Sequence, residues 1–397
     1  MNAQVKRPVA PSASSPLNKE QVLAHLAEPS TPNAAAGDAM IEVHGLSKLY
    51  NGVAALSDVT LSVGKGEFVT LLGPSGSGKS TLLNLISGMT TPTSGTILIN
   101  GTDATTLPTN QRGLGMVFQN YALMPHMTVF QNIAFPLQVR KVGKDEIRQR
   151  VMDVLKLIQL EHVAARRPRE LSGGQQQRIS LARCIVYNPP LILMDEPLGA
   201  LDKKLREGMQ LEIKRLHADL GVTMLYVTHD QDEALTMSDR IVLMRGGKIE
   251  QQGTPETLYF KPETVFSADF IGSSNLFPGK LVEGECGLVL RCAAGTFEVP
   301  GAEGAFPAGS TAVLLVRPEN IAVETPGDAS GRQQIEATLK DTVVLGGIVR
   351  HFLETPAGEQ IIAQELNQPN RSRLMRGDAV KVSWRVADGR LLPAERA

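Results

Sequence analysis

Aromatic residues make up only 4% of the 397-residue chain, and tryptophan occurs once, at Trp384. Proteins that bind single-stranded nucleic acid interleave basic residues with aromatic platforms, so this scarcity argues against that function. Cysteine is almost missing as well. Cys184, Cys286 and Cys292 are too few for a disulfide framework, and no pair has metal-ligand spacing. They are expected as reduced thiols of a cytosolic protein. Net charge is close to nil, with 40 Lys and Arg against 41 Asp and Glu. That removes any general electrostatic reason to bind nucleic acid or an anionic membrane. No apolar run approaches the roughly 18–20 residues that span a bilayer; the stretches 191–194 and 312–316 are strand length. Nor does an apolar segment follow Lys6 and Arg7, so the N-terminus does not read as a secretory signal. The expectation is a soluble chain, for which any membrane role would have to be borrowed from partner chains.

At roughly 100–200 residues per domain, the length accommodates two or three domains. Residues 1–39 are rich in Ala, Pro, Ser and Asn with scattered apolar residues, a composition that predicts a disordered tail. From residue 40 to 274 strand-like and helix-like segments alternate. Strands are predicted at 41–43, 56–63, 67–72, 191–194, 223–228 and 241–244, and helices at 79–89, 175–187 and 203–220. The alternation predicts an α/β domain with a mostly parallel sheet covered on both faces. Gly208 inside the last helix costs about 1 kcal/mol relative to Ala and predicts a break or a close packing contact. Residues 275–397 read as short strands separated by Gly, Pro, Asn and Asp turns: 287–291, 296–299, 311–316, 335–345, 349–353, 360–363 and 380–386. A second, all-β domain is expected there, a small barrel.

Gly73-Pro74-Ser75-Gly76-Ser77-Gly78-Lys79-Ser80 fits GxxxxGK[ST] between a predicted strand and a predicted helix. Glycines let backbone N–H groups curl around phosphate without Cβ clashes, and the helix N-terminus adds its dipole. Lys79 would reach the β- and γ-phosphates and the Ser80 hydroxyl would ligate Mg²⁺. The motif predicts binding of a nucleoside triphosphate. At the end of the apolar strand 191–194, Asp195 suits an Mg²⁺ contact and Glu196 could polarise the attacking water. No guanine-reading Asn-Lys-x-Asp motif is present. Leu171-Ser172-Gly173-Gly174-Gln175 then opens a second helix with a phosphate-binding start. One nucleotide has no use for two such cradles in one subunit, whereas two subunits arranged head to tail do.

In this order the motifs resemble the ATP-binding cassette family, and in particular the ATPase subunit of a bacterial-type importer. The resemblance runs from about residue 41 to 397. It implies a P-loop NTPase cassette with a helical subdomain, followed by an OB-like barrel of the TOBE type. By resemblance, Tyr50 stacks on adenine, and Gly73 to Thr81 (Gly73, Pro74, Ser75, Gly76, Ser77, Gly78, Lys79, Ser80, Thr81) hold the phosphates of ATP. Ser80, Gln119 and Asp195 serve Mg²⁺. Ser172, Gly173, Gly174 and Gln175 close on the ATP of the partner subunit, and Asp202 crosses the dimer interface. Glu196, Gln119 and His229 form the catalytic set, with His229 on the γ-phosphate. The implied assembly is a homodimer with two integral-membrane permease subunits and a periplasmic or extracellular solute-binding protein, peripheral on the cytoplasmic face of the inner membrane. It involves no nucleic acid. Met124, Met127 and Phe130 either line a groove for a coupling helix or simply pack the helical subdomain.

Residues 316–321 (Val-Arg-Pro-Glu-Asn-Ile), 345–347 and 377–384, together with 270–275 and 368–370, resemble the accessory barrels of importers for polyamines, ferric iron, sulfate and sugars. The spermidine/putrescine branch is the nearest in texture. A soluble cassette acting in DNA repair or translation usually carries two cassettes or a coiled-coil insertion, and this chain has neither.

Overall fold

The computed structural model describes residues 39–199, 201–285, 287–299, 306–324, 333–369 and 374–394. The predicted tail, apart from Ala39, and Cys286 lie outside the described residues. The described residues divide into two compact units, those up to 70 with 78–228, and 71–77 with those from 229 onward.

The order begins with a hairpin of β1 (Ala39–Tyr50) and β2 (Val53–Gly64). Its two-residue turn, Asn51-Gly52, has φ of 49° and 82°, the left-handed pair that suits the twist of a hairpin. β3 (Phe68–Leu72) leads into the glycine-rich loop and α1 (Lys79–Ser87) leaves it. β4 (Ser94–Ile99), β5 (Thr102–Asp103) and β6 (Gly115–Val117) follow. Helices α2 (Val129–Val139), α3 (Lys144–Leu157) and α4 (Gly173–Ile185) form the helical subdomain. β7 (Leu191–Asp195), α5 (Lys203–Leu220) and β8 (Thr223–Thr228) complete the first unit.

β2, β1, β4 and β5 make one antiparallel sheet. β6, β7 and β8 run parallel, and Met224 N donates to Glu67 O at the start of β3. All five residues of β3, all six of β8 and the first four of β7 are buried. Strands buried on both faces read as unbroken apolar runs, which is why these three were legible in the sequence. α4 begins at Gly173, two residues before the predicted start, because Ser172 caps it. α5 runs unbroken through Gly208, and an added Cβ there would meet nothing within 4 Å. Neither the expected break nor the expected close contact exists, and nothing in the structure explains this glycine.

The second unit opens with α6 (Gln231–Met237), β9 (Arg240–Arg245), β10 (Lys248–Gly253), α7 (Pro255–Phe260) and α8 (Val265–Phe270). Leu72, Ile241, Leu243, Leu258 and Ile271 share a buried cluster. The β-rich region then supplies β11 (Asn275–Gly284), β12 (Gly287–Cys292), β13 (Gly295–Glu298), β14 (Thr311–Val316), β15 (Ala322–Glu324), β16 (Gln333–Val344), β17 (Ile348–Glu354), β18 (Gln360–Leu366), β19 (Ala379–Trp384) and β20 (Gly389–Pro393). These form two five-stranded antiparallel sheets, ordered β13-β12-β11-β14-β20 and β15-β19-β16-β17-β18. Both contribute to one core, in which the fully buried Trp384 ring stacks on Phe277 at 5.7 Å and meets Phe297 edge-on at 5.1 Å.

Two segments noted only for their texture prove to be structural pins. Asn275 is buried and its amide bonds Val316 O, Ile362 O and Ile362 N, joining a strand of each sheet. Arg317 is also buried. Its guanidinium donates to Ala268 O, Ser273 O, Ser274 Oγ and Tyr259 O, and packs over the Tyr259 ring. Tyr259 in turn donates to Glu319 at 2.6 Å, and burial with that neighbouring carboxylate pushes its phenol up to about 12. The Arg-Pro-Glu run thus ties α7 and α8 to the first sheet.

Candidate active site

The glycine-rich loop has the backbone that phosphate binding requires. Gly73, Gly76 and Gly78 have φ of 153°, 79° and 100°. A Cβ on Gly73 would lie 2.3 Å from Met244 O, so this position takes glycine for space as well as for conformation. Ser77 Oγ is buried with no hydrogen-bond partner. An orphaned hydroxyl inside a loop of this kind suits a ligand oxygen. Lys79 opens α1 and is only 6% exposed. Burial lowers its pKa, while Glu196 and Asp195 act in the opposite sense and favour the ammonium.

Asp195 ends β7, and Ser80 Oγ donates to its Oδ1 at 3.4 Å, longer than the usual ~2.7–2.8 Å for such a pair. Burial, and then the Glu196 carboxylate, raises the Asp195 pKa. A hydroxyl and a carboxylate are hard oxygen donors, the kind that hold Mg²⁺ through one or two protein ligands plus phosphate oxygens. Among the described residues no group of three or more His, Cys, Asp or Glu could hold a metal by itself. The hydroxyl of Ser80 and the carboxylate of Asp195 fit Mg²⁺ bound together with a nucleotide. Glu196 has φ of 43°, a left-handed conformation that costs a non-glycine residue roughly 1–2 kcal/mol. Glu196 N donates to Val227 O on β8 at 3.0 Å, which holds the turn in place.

Gln119 follows β6. Its Nε2 would stand 3.8 Å from a Cβ on Gly199, so its amide lies beside the Glu196–Gly199 turn. Lys79, Ser80, Asp195 and Glu196 are thus brought together, with Gln119 beside the Glu196–Gly199 turn. Ser172, Gly173, Gly174, Gln175 and Asp202 form a separate cluster. Ser172 caps α4 in a reciprocal box, accepting from Gln175 N while Gln175 Oε1 accepts from Ser172 N at 3.0 Å. Asp202 caps α5 by accepting from Leu205 N at 3.0 Å. A Cβ on Gly174 would press on Leu205 at 2.9 Å, so glycine at 174 lets the two helix starts approach. Tyr50 stands at the hairpin tip, 47% exposed, with Lys48 Nζ 5.0 Å from its ring centre. His229 directly follows β8.

The family profile described as "ABC transporter" matches residues 56–199, and the "TOBE domain" profile matches residues 314–392. The spermidine/putrescine import ATP-binding protein PotA of Acidothermus cellulolyticus is 43% identical over 90% of this chain and 94% of its own length. Its counterpart in Thermobifida fusca is 43% identical over 89% and 93%. The chain belongs to the ABC transporter family. It is an ATP-binding, ATP-hydrolysing cassette subunit with a C-terminal TOBE domain. Two solved cassettes share its fold. A bacterial ABC transporter cassette with a dimeric structure is 37% identical, covering 54% of this chain and 99% of its own at a TM-score of 0.50. CbiO1 of Clostridium perfringens, part of the ABC transporter complex cbiONQ, is 30% identical, covering 56% and 90% at 0.53.

Several residues that shape the cassette carry no motif. Arg112 is buried and donates to Leu85 O, Ile86 O and Leu107 O, capping the C-terminus of α1 and complementing its dipole at the end away from Lys79. Asn132 on α2 is fully buried; it accepts from Met124 N and donates to Met124 O, Met127 O and Thr128 O. That bonding fixes the loop that carries Met124 and Met127 against the start of α2; these two side chains and Phe130 on α2 are half-buried. A buried Asn within an apolar helix was the one available signal for it.

Proposed function

We propose that the chain energises the uptake of polyamines, spermidine and putrescine, through partner membrane subunits. The observation that carries this reading is the extent of its likeness to the spermidine/putrescine import ATP-binding proteins, which spans the cassette and the β-rich region alike. The domains are taken as 40–274 for the cassette and 275–397 for the accessory barrel, after a tail of 1–39. Two copies sandwich two ATP molecules. In each site the loop from Gly73 to Thr81 holds the phosphates, Tyr50 stacks on the adenine, and Ser172–Gln175 with Asp202 close from the other subunit. Glu196 accepts the proton of the attacking water, and His229 contacts the γ-phosphate. Ser80, Asp195 and Gln119 would hold Mg²⁺, which would supply positive charge against the phosphates.

Closure favoured by the γ-phosphates is reversed by hydrolysis. It passes to two permease subunits through a coupling helix seated near Met124, Met127 and Phe130. A periplasmic or extracellular binding protein delivers the solute, and the cassette works at the cytoplasmic face of the inner membrane. Among the described residues no helix is long and apolar enough to cross a membrane.

Uptake of labelled putrescine, spermidine and ferric iron by cells lacking the chain tests the solute. Polyamine uptake is expected to be lost with iron uptake intact, and a plasmid copy should restore it. Loss of iron uptake with normal polyamine uptake would overturn the assignment.

A further inference from the structure

Within the first unit a cleft of about 450 Å³ opens between the end of α3 and the faces of α4 and α5. That size falls within the roughly 300–1,000 Å³ of ligand sites. Leu211 and Leu216 give it an apolar wall, and Leu211 is 64% exposed. Its charged lining sets three cations, Lys156, Arg178 and Arg215, against two carboxylates, Glu212 and Asp219. Arg178 Nε is buried without a hydrogen bond, and Glu212 Oε2 pairs with it only at 3.5 Å.

The N-terminal part of the chain leaves the cassette close to this cleft. Ala39 pairs with Gly64, and Gly66 O accepts from His217 Nε2 at 3.0 Å near the end of α5. Leu211 lies about 9 Å back along the same helix. Residues 29–38 span up to about 33–36 Å when extended, so a segment ending at residue 28 reaches the cleft with slack. The sequence before Pro29 carries helix signals of its own. Asn18 is a favoured N-cap with Gln21 at the third helical position, and Leu17 and Val22 stand where a hydrophobic staple forms. Val22, Leu23 and Leu26 then fall on one face. A helix over 19–28 is shorter than the ~12–15 residues that are marginal alone in water, so it needs an apolar surface to fold against. The charges are complementary. Lys19 against Glu20 and Glu28 leaves the segment net negative, and the cleft lining is net positive.

We propose that residues 18–28 dock as a helix in the cleft of their own subunit. Val22, Leu23 and Leu26 cover the wall of Leu211 and Leu216, and a carboxylate of the segment meets Arg178. The short tether holds the segment at an effective concentration on the order of millimolar, so a weak contact suffices. Docked, it joins α3 and α4 of the helical subdomain to α5.

Amide hydrogen exchange of the full chain tests the proposal. Amides 22–28 are expected to exchange about tenfold more slowly in the parent than in the double variant Leu23→Asp/Leu26→Asp. Leu211→Glu, made at an exposed position with a good helix former, should release the segment to the same extent while the cassette stays folded. The protection should not depend on protein concentration. Fast exchange throughout 18–28 in the parent would overturn the proposal. So would protection that survives Leu211→Glu, which means that the segment folds elsewhere, or protection lost on dilution, which means that it docks on a second copy.

Discussion

Lys79→Ala is expected to abolish ATP binding and hydrolysis together. Lys79 is the first residue of α1, buried, with the Asp195 and Glu196 carboxylates as the charges that favour its ammonium. Removing it deletes the one charge able to meet the β- and γ-phosphates from the loop. It also leaves Asp195 and Glu196 facing each other without that cation. Asp195 is already raised by burial and by Glu196, and loss of Lys79 is expected to raise it further. A charge-assisted contact is worth about 1.5–3 kcal/mol, and Lys79 would make one to each of two phosphates, so affinity should drop on the order of a hundredfold or more. Equilibrium binding of a fluorescent ATP analogue and phosphate release check both losses. Retained hydrolysis would sink the assignment of the loop.

Glu196→Gln has the opposite signature, with binding preserved and chemistry stopped. The substitution keeps the shape of the side chain at a backbone held by Val227 O but removes its capacity to take a proton. General-base assistance contributes about 10²–10⁴-fold, which sets the expected fall in kcat. Nucleotide affinity should stay near that of the parent. With hydrolysis blocked, the ATP-bound sandwich should persist and elute as a dimer in size-exclusion chromatography at saturating ATP. A persistent monomer with undiminished turnover would remove Glu196 from the mechanism.

The parts legible in the sequence were those fixed by local rules. The P-loop could be read because three positive-φ glycines, a lysine and a serine have to fall at set spacings between a strand and a helix. Asp195 and Glu196 were visible because they end an apolar run too buried to carry acids anywhere else. The start of α4 was misplaced at Gln175, since two glycines look like linker until Ser172 is seen to cap them.

What stayed hidden was tertiary bonding to distant backbone. Arg183 serves carbonyls 61 and 62 residues away, and Arg112 serves carbonyls 26 and 27 residues away. A side chain that bonds backbone imposes no residue type on its partner, so no pattern marks the pair. Arg317 and Asn275 were noticed only for texture; their reason is the burial of a guanidinium and an amide with their hydrogen bonds satisfied. Gly208 drew attention that the structure does not repay.

The most direct test of the head-to-tail sandwich is ATPase activity in a mixture of Ser172→Arg and Lys79→Ala subunits. Each variant alone spoils both sites of its homodimer and should be inactive. A heterodimer pairs the intact loop of one subunit with the intact Ser172–Gln175 turn of the other, so one working site should form and activity should return on mixing. A mixture as inactive as its components, with heterodimers demonstrably present, would mean that Ser172–Gln175 acts within its own subunit and would contradict the account.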